Sequence, residues 1–255
     1  MAGSEASRGG GVQSLGRALD VLETMQQRGG ELALIEISGA TGLPMPTIHR
    51  LVRTLVDRGY LRQLPDKRYA LGTRLIPLGN AAQQVFGVQA APQLTRIVDQ
   101  LGETANLATL DGDMLVYVGQ VPSPHAMRMF TELGRHVHAH CRAAGKVLLA
   151  ELADDEVRNI LRRAGMPART PQTVTDPDEL LRQVQRIRET GYAFEQGEME
   201  IGVECVAVPI PSATMRLALS ISAPTARMDE VVRERAVRVL RAAATSIAST
   251  LDASA

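Results

Sequence analysis

Two short helical stretches joined by Gly42-Leu43-Pro44 constrain this chain more than any other feature. Residues 34–41 read as one helix. From 46 to 58, Ile48, Leu51, Val52 and Leu55 recur at three- and four-residue steps and predict a second. A glycine-containing turn of this length between two helices is helix-turn-helix spacing, in which the first helix braces the second inside a DNA major groove. Pro44 and Pro46 suit the entry, because the N–H a proline lacks in a first turn would have had no partner anyway. With the apolar residues inward, Thr47, His49, Arg50 and Arg53 are left outward or flanking, and all four can donate to phosphates or base edges.

The flanking segments extend the pattern. Residues 14–27 carry Leu15, Ala18, Leu19, Leu22 and Met25 as one helical stripe, ended by Gly29-Gly30. After Gly59, residues 60–71 read as two short strands around Pro65-Asp66-Lys67, a β-wing. Arg62, Lys67 and Arg68 on or beside that wing would reach the backbone flanking the groove. The net charge of zero speaks against a nucleic-acid partner only until its distribution is read. Between Pro44 and Arg74 seven arginines and lysines face only Asp57 and Asp66, a local charge of +5. A solvated basic face would carry the same charge; helix-turn-helix geometry with a basic wing favours DNA.

The chain has 255 residues, 45% hydrophobic and 22% charged, enough for two folded domains. No run approaches the roughly 18 apolar residues a membrane span requires. Residues 1–11 have neither an apolar core nor clustered positive charge, so a cytoplasmic protein with a disordered start is expected. Cys141 and Cys205 lie too far apart for a CxxC motif and are expected as free thiols.

Beyond residue 90 the elements mix. Residues 104–110 and 114–120 flank Asp111-Gly112-Asp113 and predict a hairpin; 203–210 and 217–222 predict two more strands, and 177–190 and 228–250 predict helices, an α/β or α+β arrangement. Ala143-Ala144-Gly145-Lys146 opens a helix whose N–H groups favour a carboxylate.

The chain resembles the IclR family of bacterial transcriptional regulators. The resemblance rests on residues 12–22 (VQSLGRALDVL), Ala40-Thr41-Gly42-Leu43-Pro44, Thr47, His49-Arg50-Leu51, Gly59-Tyr60-Leu61 and Tyr69-Ala70-Leu71-Gly72, on residues 140–146 (HCRAAGK), and on 191–209 with Gly202, Cys205 and Ala207-Val208-Pro209. It spans residue 12 to about residue 251. It implies an α+β protein: a winged helix-turn-helix over 12–72, a linker helix over 73–89, and over 90–255 a GAF-like α/β effector domain with an antiparallel sheet. By the same resemblance Ala126, Met129, Ala143, Ala144, Glu195, Cys205, Ser220 and Ser222 line an effector pocket. Arg142 departs from the family, which often has a small hydroxyl there; it either turns to solvent or forks an effector carboxylate. The implied partners are pseudo-palindromic operator DNA, a small carboxylate or ureide, and a second copy in a homodimer or dimer of dimers. Residues 124–130 resemble regulators responsive to glyoxylate- or allantoin-type metabolites. Repression relieved by the ligand is the default sign, with no cofactor and no metal.

Other readings compete. His136, His138 and His140 would share one side of a strand, with Cys141 adjacent, as in a metal site. Cys205 with His140, or Glu195 with Glu198, would suit an enzyme, but no nucleophile elbow or nucleotide cradle accompanies them. A protein-interaction module with a degenerate winged helix would not need the Thr47, His49, Arg50 and Arg53 face.

Overall fold

Apolar residues at helical spacing build the first core. α1 (Gln13–Gln27), α2 (Leu34–Thr41) and α3 (Met45–Asp57) pack through Val21, Met25, Ile37, Ile48, Val52 and Leu55, each buried. The computed structural model describes residues 12–86, 90–129, 132–212 and 215–252. Residues 1–11, expected to be disordered, residues 87–89 at the end of the expected linker helix, and Phe130 lie outside them.

The stripe expected along α1 is only partly inward. Val21 and Met25 are buried, whereas Leu15 and Leu19 are 60% and 49% exposed and lie on one face with exposed Val12. α3 behaves as expected, except that Leu51 is half-buried at the edge of the core. Between α2 and α3, Ser38 Oγ donates to Leu43 O at 2.7 Å and Thr41 Oγ1 accepts from Leu43 N–H at 3.4 Å, holding the turn.

The wing is β2 (Leu61–Gln63) and β3 (Tyr69–Leu71), joined by a turn in which Leu64 N–H donates to Arg68 O and Lys67 N–H to Leu64 O. Lys67, at φ 67°, is the one non-glycine residue with positive φ among the described residues. A two-residue strand too short for periodicity to reveal, β1 (Glu31–Leu32), completes an antiparallel sheet of order β1-β3-β2. Gly72 closes the wing: its N–H donates to Tyr60 O at 2.8 Å, and a Cβ there would lie 2.1 Å from Gly59 O.

The chain divides into two compact units between Ala82 and Gln83, within α4 (Leu75–Phe86). The second unit contains α5 (Ala91–Leu101), β4 (Thr104–Asp111), β5 (Met114–Val121), β6 (His136–Val137), a 3-10 turn at Ala139–Cys141, α6 (Ala143–Ala150), α7 (Asp154–Ala164), α8 (Pro177–Thr190), β7 (Ala193–Gln196), β8 (Val203–Ile210), β9 (Leu217–Pro224) and α9 (Glu230–Asp252). Its six-stranded sheet is antiparallel throughout, in the order β6-β5-β4-β9-β8-β7. α8 matches expectation because its ends are signalled: Asp176 Oδ1 accepts from Asp178 N–H, Pro177 opens the first turn and Gly191 closes the last.

Strand alternation gives the sheet two apolar faces. Leu107, Val206, Val208, Leu219 and Ile221 pack with α5 and α9. Ala108, Leu115, Tyr117, Cys205, Ala207 and Ala218 face the core shared with α6, α7 and α8. Each fully buried leucine or isoleucine contributes about 1.5–3 kcal/mol.

Candidate functional site

In the first unit, burial of Ile48, Val52 and Leu55 turns His49, Arg50 and Arg53 outward, with Thr47 half-buried beside them. An open cleft of about 360 Å³ is lined by His49, Arg50 and Arg53 of α3 with Gln63 and Tyr69 of the wing. Arg62 and Lys67 are exposed on the wing. None of these five basic residues is ion-paired among the described residues, so their donors are available to an anionic partner.

Arg68 is different. Its Nε donates to Glu31 Oε1 at 3.0 Å and its Nη2 to Glu31 O at 3.1 Å, while Nη1 lies 3.4 Å from Glu36 Oε2. The expected phosphate contact is thus a brace fastening the wing to β1 and α2, its charge answered by two carboxylates. Charge counting along the sequence cannot separate Arg68 from Arg62, because Glu31 and Glu36 approach it only through the β1–β3 pairing.

In the second unit a polar patch interrupts the apolar face toward α6. Strand register assembles it: Glu195 pairs with Cys205, Cys205 with Ser222, Ser222 with Thr104, and Ser220 with Asn106. All six residues are buried. Some of their polar atoms satisfy one another. Cys205 Sγ donates to Ser222 Oγ at 3.2 Å, Gln120 Nε2 to Asn106 Oδ1 at 2.9 Å, and Thr104 Oγ1 to Met129 O at 3.2 Å. Glu195 Oε1 accepts the N–H groups of Glu198 at 2.6 Å and Met199 at 3.2 Å.

α6 begins at this patch. Arg142 occupies its cap position with extended backbone (φ −132°, ψ 134°), and no side chain caps the helix, so the first N–H groups of α6, starting at Ala143 and Ala144, have no intrahelical partner. The Arg142 guanidinium lies 5.9 Å from the centroid of the Tyr117 ring. Arg142 Nε, Glu195 Oε2 and Ser220 Oγ are buried with no hydrogen-bond partner among the described residues. Native interiors pair nearly all such atoms, so three unpaired ones around the start of α6 stand out.

α6 is positioned by backbone contact and a buried ion pair. A Cβ on Gly145 would lie 2.2 Å from Ala139 O, so only glycine lets the helix rest on the 3-10 turn. Lys146 is 1% exposed; its Nζ is hydrogen-bonded to Glu198 Oε1 and donates to Gln183 Oε1 at 2.7 Å. The HCRAAGK motif contains both residues, but their tasks could not be read from it: the partner of Lys146 lies 52 residues on. Ala143 and Ala144 are buried at the first turn, Met129 is half-buried against the α6 core, and Ala126 is exposed on the loop after β5. Of the residues expected to line a pocket, Glu195, Cys205, Ser220 and Ser222 lie in the polar patch, Arg142, Ala143 and Ala144 at the start of α6 and Met129 against the same core, while no contact among the described residues brings Ala126 to the patch.

The geometry of the described residues favours neither the metal nor the enzyme reading. The strand carrying His136 ends at Val137, and the ring nitrogens are engaged separately: His136 Nε2 lies 2.8 Å from Asp111 Oδ2, while His138 and His140, whose rings meet edge to face at 5.6 Å between centroids, place Nδ1 3.3 Å from Arg169 Nη2 and Nε2 3.3 Å from Pro167 O. No group of three or more ligating side chains occurs among the described residues. Burial pushes the Cys205 thiol far above its ordinary range, and its hydrogen bond goes to Ser222 rather than His140. Burial also depresses His140 to about 4. Glu198, half of the suggested acid/base pair, is bound to Lys146.

Comparison with known proteins matches each unit to one family. The family model described as IclR helix-turn-helix domain matches residues 14–65, and that described as bacterial transcriptional regulator IclR C-terminal matches residues 83–249. The transcriptional repressor IclR of Escherichia coli is 34% identical over 242 residues, covering 92% of this chain and 88% of its own. The crystal structure of an IclR transcriptional regulator from Alicyclobacillus acidocaldarius aligns with a TM-score of 0.84 at 31% identity, covering 94% of this chain and 99% of that one. An IclR homolog from Microbacterium hydrocarbonoxydans, complexed with 4-hydroxybenzoate, aligns with a TM-score of 0.82 at 27% identity over 94% of this chain and all of its own. A winged helix with an open basic cleft, an antiparallel sheet carrying a buried polar patch, and both family models in the same order establish that this chain belongs to the IclR family of bacterial transcriptional regulators.

Proposed function

We propose that the protein is a cytoplasmic repressor that holds a pseudo-palindromic operator as a dimer or dimer of dimers and changes its grip when a small organic acid enters the second unit. Thr47, His49, Arg50 and Arg53 read the major groove, and Arg62 and Lys67 fix register on the flanking phosphates. One winged helix reads only a short half-site, so two copies are needed for useful affinity. Exposed Val12, Leu15 and Leu19 on α1, with Ile76 and Leu78 on α4, offer the apolar surface for self-association. The linker segment, residues 73–89, couples effector occupancy to the spacing of the recognition helices. Among the described residues no helix is long and apolar enough to cross a membrane.

The observation that carries the effector half is the trio of unpartnered atoms, Arg142 Nε, Glu195 Oε2 and Ser220 Oγ, beside the uncapped start of α6. One cation, a carboxyl, hydroxyls and an aromatic wall suit a small polar metabolite with a carboxylate. The test is a thermal-shift panel of glyoxylate, pyruvate, 4-hydroxybenzoate, allantoin and allantoate, followed by operator gel shifts with each binder. A ligand at a hundred times its Kd stabilises the folded protein by about 2.7 kcal/mol. An acid that raises the midpoint, loses its effect in Ser220→Ala and alters operator affinity is the expected result; binding of a neutral ureide alone would favour the hydroxyls over Arg142 as the reading groups, and binding without any change in operator affinity would refute the coupling.

A further inference from the structure

The charges around the polar patch do not balance once an acid is placed in it. The titratable groups there are Tyr117 from β5, Glu195 from β7, Cys205 from β8, Cys141 and Arg142 from the turn into α6, Lys146 from α6 itself, and Glu198 from the segment between β7 and β8, with Arg169 acting on Cys141 from outside; β4 and β9 add only the uncharged Thr104, Asn106, Ser220 and Ser222. Burial holds Tyr117 and both thiols neutral by pushing their protons on more tightly, Cys141 to about 11. Lys146 and Glu198 are joined as an ion pair. What remains is one guanidinium, Arg142, and one carboxyl, Glu195, whose Oε1 holds two backbone N–H groups while its Oε2, near the Cys205 thiol, has no well-formed hydrogen bond among the described residues.

We infer that Arg142 and Glu195 make this site a proton-coupled carboxylate receptor, in which the guanidinium forks the effector's carboxylate and Glu195 takes a proton onto Oε2 as the anion arrives. The inference rests on the effector reading above and names its chemistry. The guanidinium has an unpartnered Nε, and a carboxylate accepts two parallel N–H···O bonds from such an edge. Its place at the helix cap sets it beside the N–H groups of the first turn, which favour the same charge. With Glu195 ionised, the bound anion would leave an uncompensated negative charge among buried groups, a costly state. A proton from solvent removes it, and burial already raises the affinity of Glu195 for that proton. The new O–H then donates to the ligand. The sign follows: each anion bound takes up as much as one proton, so affinity falls as pH rises, by about tenfold per pH unit where uptake is complete.

The experiment is calorimetric titration of the full-length protein at pH 8 with glyoxylate, pyruvate and 4-hydroxybenzoate, and with 4-hydroxybenzamide as the uncharged analogue. Each is run in two buffers of different ionisation enthalpy, and the thermal midpoint of each variant without ligand checks that it folds. The expected result for a binding acid is a heat that differs between buffers and reports proton uptake. Glu195→Gln, which cannot take the proton, keeps acid binding but loses the buffer dependence and the pH slope. Arg142→Ala weakens the acid by about 30-fold or more while changing the amide little, as expected for removing one partner of a buried charge pair. If acids bind and Ser220→Ala removes them, yet buffer and Arg142→Ala make no difference, the inference fails and the effector site stands. If no acid binds the folded wild-type protein, both fail.

Discussion

Replacing Lys146 with methionine leaves Glu198 buried beside a hydrocarbon. The pair is deep: the side chains are 1% and 9% exposed. Gln183 takes a second Lys146 N–H, but Glu198 Oε2 has no hydrogen-bond partner among the described residues, so the pair is incompletely satisfied within them even when intact. A buried pair of this kind contributes little relative to apolar residues of similar size, yet breaking it by removing one member costs about 3–5 kcal/mol, because the other charge is stranded. Lys146→Met should therefore destabilise the second unit by that amount, and Lys146→Met with Glu198→Leu should recover most of the loss. Urea unfolding followed by circular dichroism measures both, with the slope of the transition checked for each variant because the chain has two compact units. A single variant within about 1 kcal/mol of wild type, or a double variant no better than the single, would refute the buried-charge argument.

Arg50→Ala or Arg53→Ala should weaken operator binding, and one that loses a phosphate contact should reduce the salt slope by about 1. Arg68→Ala should instead lower the thermal stability of the first unit with the salt slope unchanged; fluorescence anisotropy across a salt series separates the cases. Gly145→Ala should destabilise by about 1–3 kcal/mol or more, since the new Cβ meets the Ala139 backbone rather than a movable side chain, and denaturant unfolding should show it. His140, depressed to about 4 by burial, binds fewer protons folded than unfolded between that value and the ordinary 6.5. Stability should thus fall as pH falls through this window, by at most about 1.4 kcal/mol per pH unit, and His140→Gln should remove that part of the slope; unfolding at pH 4.5, 5.5 and 6.5 tests it.

Where chemistry is local, the sequence was sufficient. The helices at 34–41 and 177–190 carry their own stop signals, and the 104–121 hairpin has its Asp-Gly turn; each lies where patterning places it. Elements that depend on distant partners were hidden. β1 and β6 have two residues each and exist only because β3 and β5 lie beside them. Leu15 and Leu19 satisfy helical periodicity as well as Val21 does, but the turn at Gly29-Gly30 brings only the C-terminal half of α1 onto α2 and α3. The pocket alignment through Glu195, Cys205, Ser220 and Ser222 came from family resemblance and coheres through strand register, whereas Tyr117, Asn106 and the Lys146–Glu198 pair required the fold. Alternation of His136, His138 and His140 misled because it presumes a strand, and the chain turns into a 3-10 helix at Ala139.

The close seat of α6 on the 139–141 turn bears on how such a regulator can change its signal. Because Gly145 allows main chain to rest on main chain, the cap position is located by backbone geometry rather than by what residue 142 carries. Its side chain makes no helix-capping hydrogen bond; the guanidinium lies instead over the Tyr117 ring. A substitution at 142 can therefore exchange charge for hydroxyl, or size for space, while the scaffold stays put. Under the effector reading proposed above, position 142 is an interchangeable tooth on a fixed key: a single codon at which a lineage can retune the metabolite it answers to without first having to rescue its fold.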